Sequence, residues 1–258
     1  MKRKIESNCS HICVIILAAG LGTRMKSSKA KVLHELNDKS MIMYVVETAE
    51  SIAGNNIIVV VGNQADKVRE MVSGKFDTFF AYQDEQLGTG HAVLCALAYI
   101  SEATTEVVIL CGDVPLIKSE TLVSLVNDHV TMSRDVTILA VNTDQPKGYG
   151  RLIVDSDFNV SEIVEQADAT EEQKKVKIIN SGIYCIKKDF LLYALPQLTT
   201  DNAQKEYYFT DIVSLGYKKK KNIGAFVGSD SDEVAGVNNQ NDLVAASKIL
   251  HQRLCKIT

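Results

Sequence analysis

The sequence has no pair of cysteines in CxxC spacing, no apolar run near the roughly 20 residues that cross a bilayer, and no internal repeat. Each absence narrows the class of molecule. Six cysteines, at positions 9, 13, 95, 111, 185 and 255, lack paired spacing and mostly sit among apolar neighbours, as small hydrophobes do and disulfide frameworks do not. Cys9, His11 and Cys13 are close in sequence, but alternate strand positions without a second ligand pair do not make a metal cluster. The start, Met1-Lys2-Arg3-Lys4, has the basic character of an export signal, yet Glu6-Ser7-Asn8 and Ser10-His11 interrupt the apolar span that a signal keeps. A cytoplasmic location without membrane attachment is therefore expected. With 28 basic against 32 acidic residues and a net charge of −4, the chain carries no electrostatic footprint of nucleic-acid binding. Lys218-Lys219-Lys220-Lys221 reads as a solvated turn before a strand. Nothing rich in proline or glycine marks a second independent unit.

What is present is an alternation of short apolar runs with helical patterns, in a chain of 258 residues, long enough to bury a sizeable core. The patterns predict strands over 14–17, 57–61 and 107–110 and helices over 41–52, 64–72 and 91–100. This βαβ rhythm predicts an α/β fold: a Rossmann-like mixed, mainly parallel sheet with helices on both faces and ligands at the carboxyl ends of the strands. From residue 135 the pattern changes to shorter strands, 136–141, 150–154 and 180–186, separated by turn-rich pieces. One domain is expected over 1–258, with halves at about 12–135 and 136–238. A packed helix over 239–258 follows, carrying Leu243, Ala246, Leu250 and Leu254 at helical spacing.

Residues 17–25 read LAAGLGTRM and directly follow the first apolar run. Gly20 and Gly22 have no Cβ to block close approach, so backbone N–H groups can face an anion while Arg24 adds a permanent forked cation. A glycine turn also follows the first strand of many α/β proteins that bind no nucleotide. Asp113, in Cys111-Gly112-Asp113-Val114-Pro115, sits past a strand end where a carboxylate can hold Mg²⁺ or simply cap a turn. A second glycine-rich turn, Gln86-Leu87-Gly88-Thr89-Gly90, opens a helix and lets a base or phosphate approach its backbone. Gln83 offers a donor and an acceptor that suit the imide edge of uracil or thymine, and equally suit buried backbone. His91 is assigned a structural role.

Together these segments resemble the sugar nucleotidyltransferases, and within them the uridyltransferase domain of the bifunctional N-acetylglucosamine-1-phosphate uridyltransferase/glucosamine-1-phosphate acetyltransferases. The resemblance runs from about residue 15 to 243. It includes Lys31-Val32-Leu33-His34, Gly148-Tyr149-Gly150-Arg151, Ile163-Val164-Glu165, Asn180-Ser181-Gly182, Glu206-Tyr207-Tyr208 and Gly236-Val237-Asn238-Asn239. It implies a nucleotide-binding first half and a sugar-binding second half. Leu17, Ala18, Ala19, Gly20, Gln83, Gly88, Thr89 and Gly112 would hold the uridine nucleotide, Arg24 and Lys31 would act on the phosphates, and Asp113 and Asn238 would hold Mg²⁺. Gly150, Glu165 and Asn180 would contact the sugar. The implied substrates are UTP and N-acetylglucosamine 1-phosphate, and the implied products UDP-N-acetylglucosamine and pyrophosphate, in the supply of cell-envelope precursors.

Three departures bear on that implication. Ala30 stands where the family usually has proline, which predicts a looser approach of Lys31; Cys111 replaces a frequent tyrosine, and Lys205 a common glycine. Lys205 lies near the expected acetamido pocket, so transfer to glucose 1-phosphate or another sugar 1-phosphate stays open. So does a UDP-sugar sensor without turnover. No hexapeptide repeats follow Leu254, so neither acetyl-CoA binding nor acetyl transfer is expected, and the oligomeric state is not inherited from the bifunctional enzymes.

Overall fold

Val14, Ile16 and Ala18 are buried on one face of the first strand, and Cys13 and Ile15 on the other, so this run belongs inside a sheet covered on both sides. The computed structural model of the protein describes residues 11–157 and 159–255. The signal-like start and Cys9 lie outside them. In chain order the first half comprises β1 (Ile12–Ala18), β2 (Glu35–Leu36), β3 (Lys39–Ser40), α1 (Met41–Ala53), β4 (Ile57–Val61), α2 (Ala65–Ser73), β5 (Phe79–Tyr82), α3 (Thr89–Ala96), β6 (Glu106–Cys111) and α4 (Ser119–Thr131). The second comprises β7 (Val136–Asn142), β8 (Gly150–Val154), β9 (Val160–Val164), β10 (Ile178–Lys187), α5 (Lys188–Ala194), α6 (Asp211–Lys218), β11 (Ile223–Gly228) and α7 (Gln240–Cys255).

The main sheet runs β11-β7-β10-β6-β1-β4-β5. Along it only β10 is antiparallel to its neighbours, and β8 and β9 branch from β10 as an antiparallel pair. Apolar side chains of α1, α2 and α4 pack on one face, and those of α3, α5 and α6 on the other. The α/β sheet with helices on both faces is therefore observed as expected. The chain steps outward from β1 to β4 and β5, then returns to place β6 on the other side of β1. That reversal opens a crevice beyond the carboxyl ends of β1 and β6, where open α/β sheets bind ligands.

Several details differ from expectation. The helix expected over 91–100 ends at Ala96 and tightens into a 3₁₀ turn, Leu97–Tyr99. The later strands are not uniformly short: β10 has ten residues and lies within the main sheet. α4, α5 and α6 had no counterpart in the sequence reading. On α7, Ala246 is buried and Leu243 and Leu250 are partly so, but Leu254 faces outward. Lys219, Lys220 and Lys221 form an exposed turn ahead of β11, as their composition suggested. Among the described residues no helix is long and apolar enough to cross a membrane.

α4 is fastened to the sheet by a buried polar tie. His129 is 1% exposed; its Nε2 lies 2.9 Å from Glu106 Oε2 and its Nδ1 2.9 Å from Thr137 Oγ1. Both ring nitrogens are thus partnered, as a buried imidazole requires. His129→Ala strands two polar groups and leaves a cavity, so it is expected to lower the free energy of unfolding by about 2–3 kcal/mol. Urea denaturation measures this, and a loss below about 1 kcal/mol would remove the tie from the account of stability.

Candidate active site

A cleft of about 440 Å³ opens at the crevice beyond β1 and β6. Of the residues predicted from sequence, Leu17, Ala18, Ala19, Gly20, Arg24, Lys31, Gln83, Gly88, Thr89, Asp113 and Asn238 line it. Gly112 lies behind this wall: its N–H donates to Leu17 O at 2.9 Å, and a Cβ there would meet the same oxygen at 3.0 Å. Its service is to let β6 close against β1. Gln86 and Glu206 also line the cleft, although the sequence motifs that contain them do not single them out.

The two glycines of the first loop differ in kind. Gly22 has φ +65°, and a Cβ on it would fall 2.6 Å from Lys31 Cβ, so its bareness lets the Lys31 segment pack against the loop. Gly20 would meet nothing within 4 Å. Among the described residues no contact demands glycine at 20, which leaves the cleft side of the backbone open to a ligand. Ala30 adopts φ −55° and ψ 140°, the backbone proline favours, so the expected loosening of Lys31 is not seen.

Lys31 is instead held at its tip. Its ammonium pairs with Asp113 Oδ2 and donates to Asn238 Oδ1 at 2.7 Å, while Arg24 Nη2 donates to the same Asn238 oxygen at 2.9 Å. Asn238 Nδ2 donates to Gly236 O at 3.2 Å, which turns the amide oxygen toward the cations. The position of Asn238 follows from the start of α7. Asn239 Oδ1 accepts from the N–H groups of Asn241 and Asp242, and Asp242 Oδ2 accepts from those of Asn238 and Asn239, a reciprocal cap. Val237 N–H donating to Asp113 O at 2.9 Å then ties this turn to the end of β6. Segments 82 to 214 residues apart are thereby brought to one point.

The second glycine turn meets the chain itself. A Cβ on Gly88, at φ +110°, would fall 2.6 Å from Tyr207 O, and one on Gly90 2.9 Å from that oxygen. Backbone bonds between Leu87 and Tyr207 and between Tyr207 and Gly90, both 2.8 Å, fix this crossing. Close approach is thus made by residue 207, not reserved for a base or phosphate. Gln83 is 4% exposed, and its Nε2 donates to Gly88 O at 3.0 Å and meets His91 Nδ1 at 3.1 Å. Since a carbonyl only accepts, the amide nitrogen must lie on that side, leaving Oε1 as the acceptor. His91 orients this amide, in keeping with a structural role.

Gly150, Glu165 and Asn180 do not line the cleft but adjoin it through Cys111, which does. Cys111 Sγ donates to Gly182 O at 3.5 Å, Gly182 N–H donates to Asn180 Oδ1 at 3.0 Å, and Asn180 pairs with Gly150 across β10 and β8. A Cβ on Gly150 would lie 3.5 Å from both Glu165 oxygens. Burial, with the Asp113 charge, pushes the Cys111 thiol up to about 12, so it stays a neutral spacer between the two groups. Burial also raises the Glu165 carboxyl, with Asp168 and Asp211 adding and the Thr210 hydroxyl opposing. A carboxyl in this setting gains from hydroxyl donors.

Lys205 has φ +57°, the left-handed region that explains a glycine preference there. Lys205→Gly is expected to stabilise the protein by about 1 kcal/mol. Chemical denaturation tests it, and an unchanged or lower midpoint would show that this backbone carries no strain.

The model of the MobA-like NTP transferase domain matches residues 14–205. Bifunctional protein GlmU of Geotalea uraniireducens strain Rf4 is 44% identical over 251 residues, covering 96% of this chain and 54% of the relative. The GlmU of Caldanaerobacter subterraneus subsp. tengcongensis is 46% identical over 240 residues, covering 93% and 52%. That of Corynebacterium aurimucosum is 40% identical over 253 residues, covering 96% and 51%. The chain spans about half the length of these curated relatives. With this match laid over the crevice, the Gly20 loop and the converging cations, the chain belongs to the MobA-like NTP transferase domain family and is an enzyme of the nucleotidyltransferase kind.

Proposed function

We propose that the protein transfers uridylyl from UTP to N-acetylglucosamine 1-phosphate, giving UDP-N-acetylglucosamine and pyrophosphate. The observation that carries this reading is the convergence of Arg24, Lys31, Asp113 and Asn238 beside the open Gly20 backbone. Two cationic side chains and two hard oxygen donors at one point suit a triphosphate with a divalent cation, and exceed what a base-binding pocket needs.

An acceptor oxygen of the sugar phosphate attacks the α-phosphorus of UTP, forming one P–O bond as the bond to the bridging oxygen breaks and pyrophosphate departs. A phosphate monoester has its second pKa near 6, so the nucleophile is already anionic at neutral pH and no general base is required. The chain's work is positioning and charge. Gln83 Oε1 accepts from the uracil imide N–H, the bare backbone at Gly20 admits the phosphates, and Arg24 and Lys31 offset the repulsion between two anions. Glu165 and Asn180 receive sugar hydroxyl and acetamido groups.

Asp113 and Asn238 fit magnesium, because one ammonium reaches both oxygens at once and both are the hard donors that this ion takes alongside phosphate. When bound there, Mg²⁺ supplies Lewis-acid stabilisation of phosphate charge. Pyrophosphate release with UTP and Mg²⁺ should show strong preference for N-acetylglucosamine 1-phosphate over glucosamine 1-phosphate and glucose 1-phosphate. Preference for another sugar would revise the acceptor, and no release from folded, UTP-binding protein would replace transfer with sensing.

A further inference from the structure

Asn238 Oδ1 has two lone-pair directions, and two cationic donors already use them: Arg24 Nη2 at 2.9 Å and Lys31 Nζ at 2.7 Å. The same Lys31 ammonium pairs with Asp113 Oδ2. Lys31 therefore bridges the two oxygens that the proposed function assigns to magnesium. A divalent cation reaching both must displace it, since the ammonium and the ion need the same lone pairs and repel one another.

From this geometry we infer that Lys31 guards the metal position, yielding Asp113 and Asn238 to a divalent cation only when phosphates of an incoming nucleotide draw the ammonium away. The inference rests on the proposed function for the placement of the metal. The stem of Lys31 is held against the phosphate loop, because Gly22 has no Cβ, while its four-carbon chain lets the head swing between the carboxylate and an adjacent phosphate. The Lys31 and Asp113 side chains are 14% and 25% exposed, so solvent screens their attraction only in part. Two consequences follow from linkage. Metal binds the free protein weakly, and nucleotide raises metal affinity by the same factor by which metal raises nucleotide affinity.

The test uses Mn²⁺ alone as a paramagnetic substitute for Mg²⁺, titrated into the full chain without nucleotide, with free Mn²⁺ read by electron paramagnetic resonance. Lys31→Met keeps the stem and removes the charge, and is expected to bind Mn²⁺ at least about tenfold more tightly than the unmodified protein. Lys31→Gln, carried in parallel, should gain similarly and secures the result if the methionine variant does not fold. Adding Asp113→Asn to either variant should abolish the gain. Equal Mn²⁺ affinity in the unmodified protein and both folded Lys31 variants overturns the guarding role and leaves uridylyl transfer to be decided by pyrophosphate release. A gain that survives Asp113→Asn places the cation elsewhere and overturns the guard together with the metal assignment.

Discussion

Asp113→Ala is expected to lower turnover by about a thousandfold or more while leaving the fold intact. The loss is large because, among the described residues, the carboxylate is one of two side-chain oxygens that share the Lys31 ammonium, and Glu206, which belongs to the segment crossing Gly88, is the one other acid lining the cleft. Stability should change by no more than about 1 kcal/mol, since the Lys31–Asp113 pair is partly exposed and the freed ammonium keeps its bond to Asn238. The tether from Val237 N–H ends on the backbone oxygen of residue 113, and alanine retains it. Pyrophosphate release and thermal denaturation, measured on the same preparation, separate these effects. A folded Asp113→Ala protein with near-normal turnover would remove Asp113 from the chemistry.

The parallel half of the sheet was legible because its strands are continuous buried runs with hard edges. β4 begins and ends where the apolar pattern places it, and β1 and β6 extend by only a residue or two at each end. α4 was less visible: it buries Leu122, Leu125 and His129, and a histidine in the buried stripe reads as a polar interruption until Glu106 and Thr137 are placed beside it. The direction of β10 was not legible at all. Its residues suit a buried strand of either sense, and what turns it is the long excursion through β8 and β9.

The candidate site divides in the same way. Short-range features announced the Gly20 loop and Asp113, because a strand end, a glycine and a charge follow one another directly. Why Gly88 and Gly90 are glycine depended on Tyr207, more than a hundred residues later: the chain crosses them closely there, although Gly88 also lines the cleft. Asn238 was found by resemblance. Its physical reason, the reciprocal cap of Asn239 and Asp242, was present as a four-residue pattern at the start of α7. Glu206 and Gln86 had no such signal, since a side chain lining a cleft from a crossing loop leaves no periodicity.

Arg24→Ala is expected to lower kcat by about a hundredfold while changing uridine nucleotide affinity only a few-fold. The guanidinium is not needed to hold the loop: it stands exposed and donates outside the loop, to Asn238. Its fork is suited to phosphate oxygens whose charge is redistributed as the bond to pyrophosphate breaks, which places its contribution in the transition state more than in the ground state. Arg24→Lys keeps a charge but loses the planar pair of donors, so it should recover only part of the rate. Steady-state kinetics with both substrates varied, beside direct titration of UTP, provide the comparison. Equal losses in turnover and in affinity would mean that Arg24 supplies uniform binding, and the stabilisation of the transferring uridylyl group would then fall to Lys31 and the divalent cation of the proposed function.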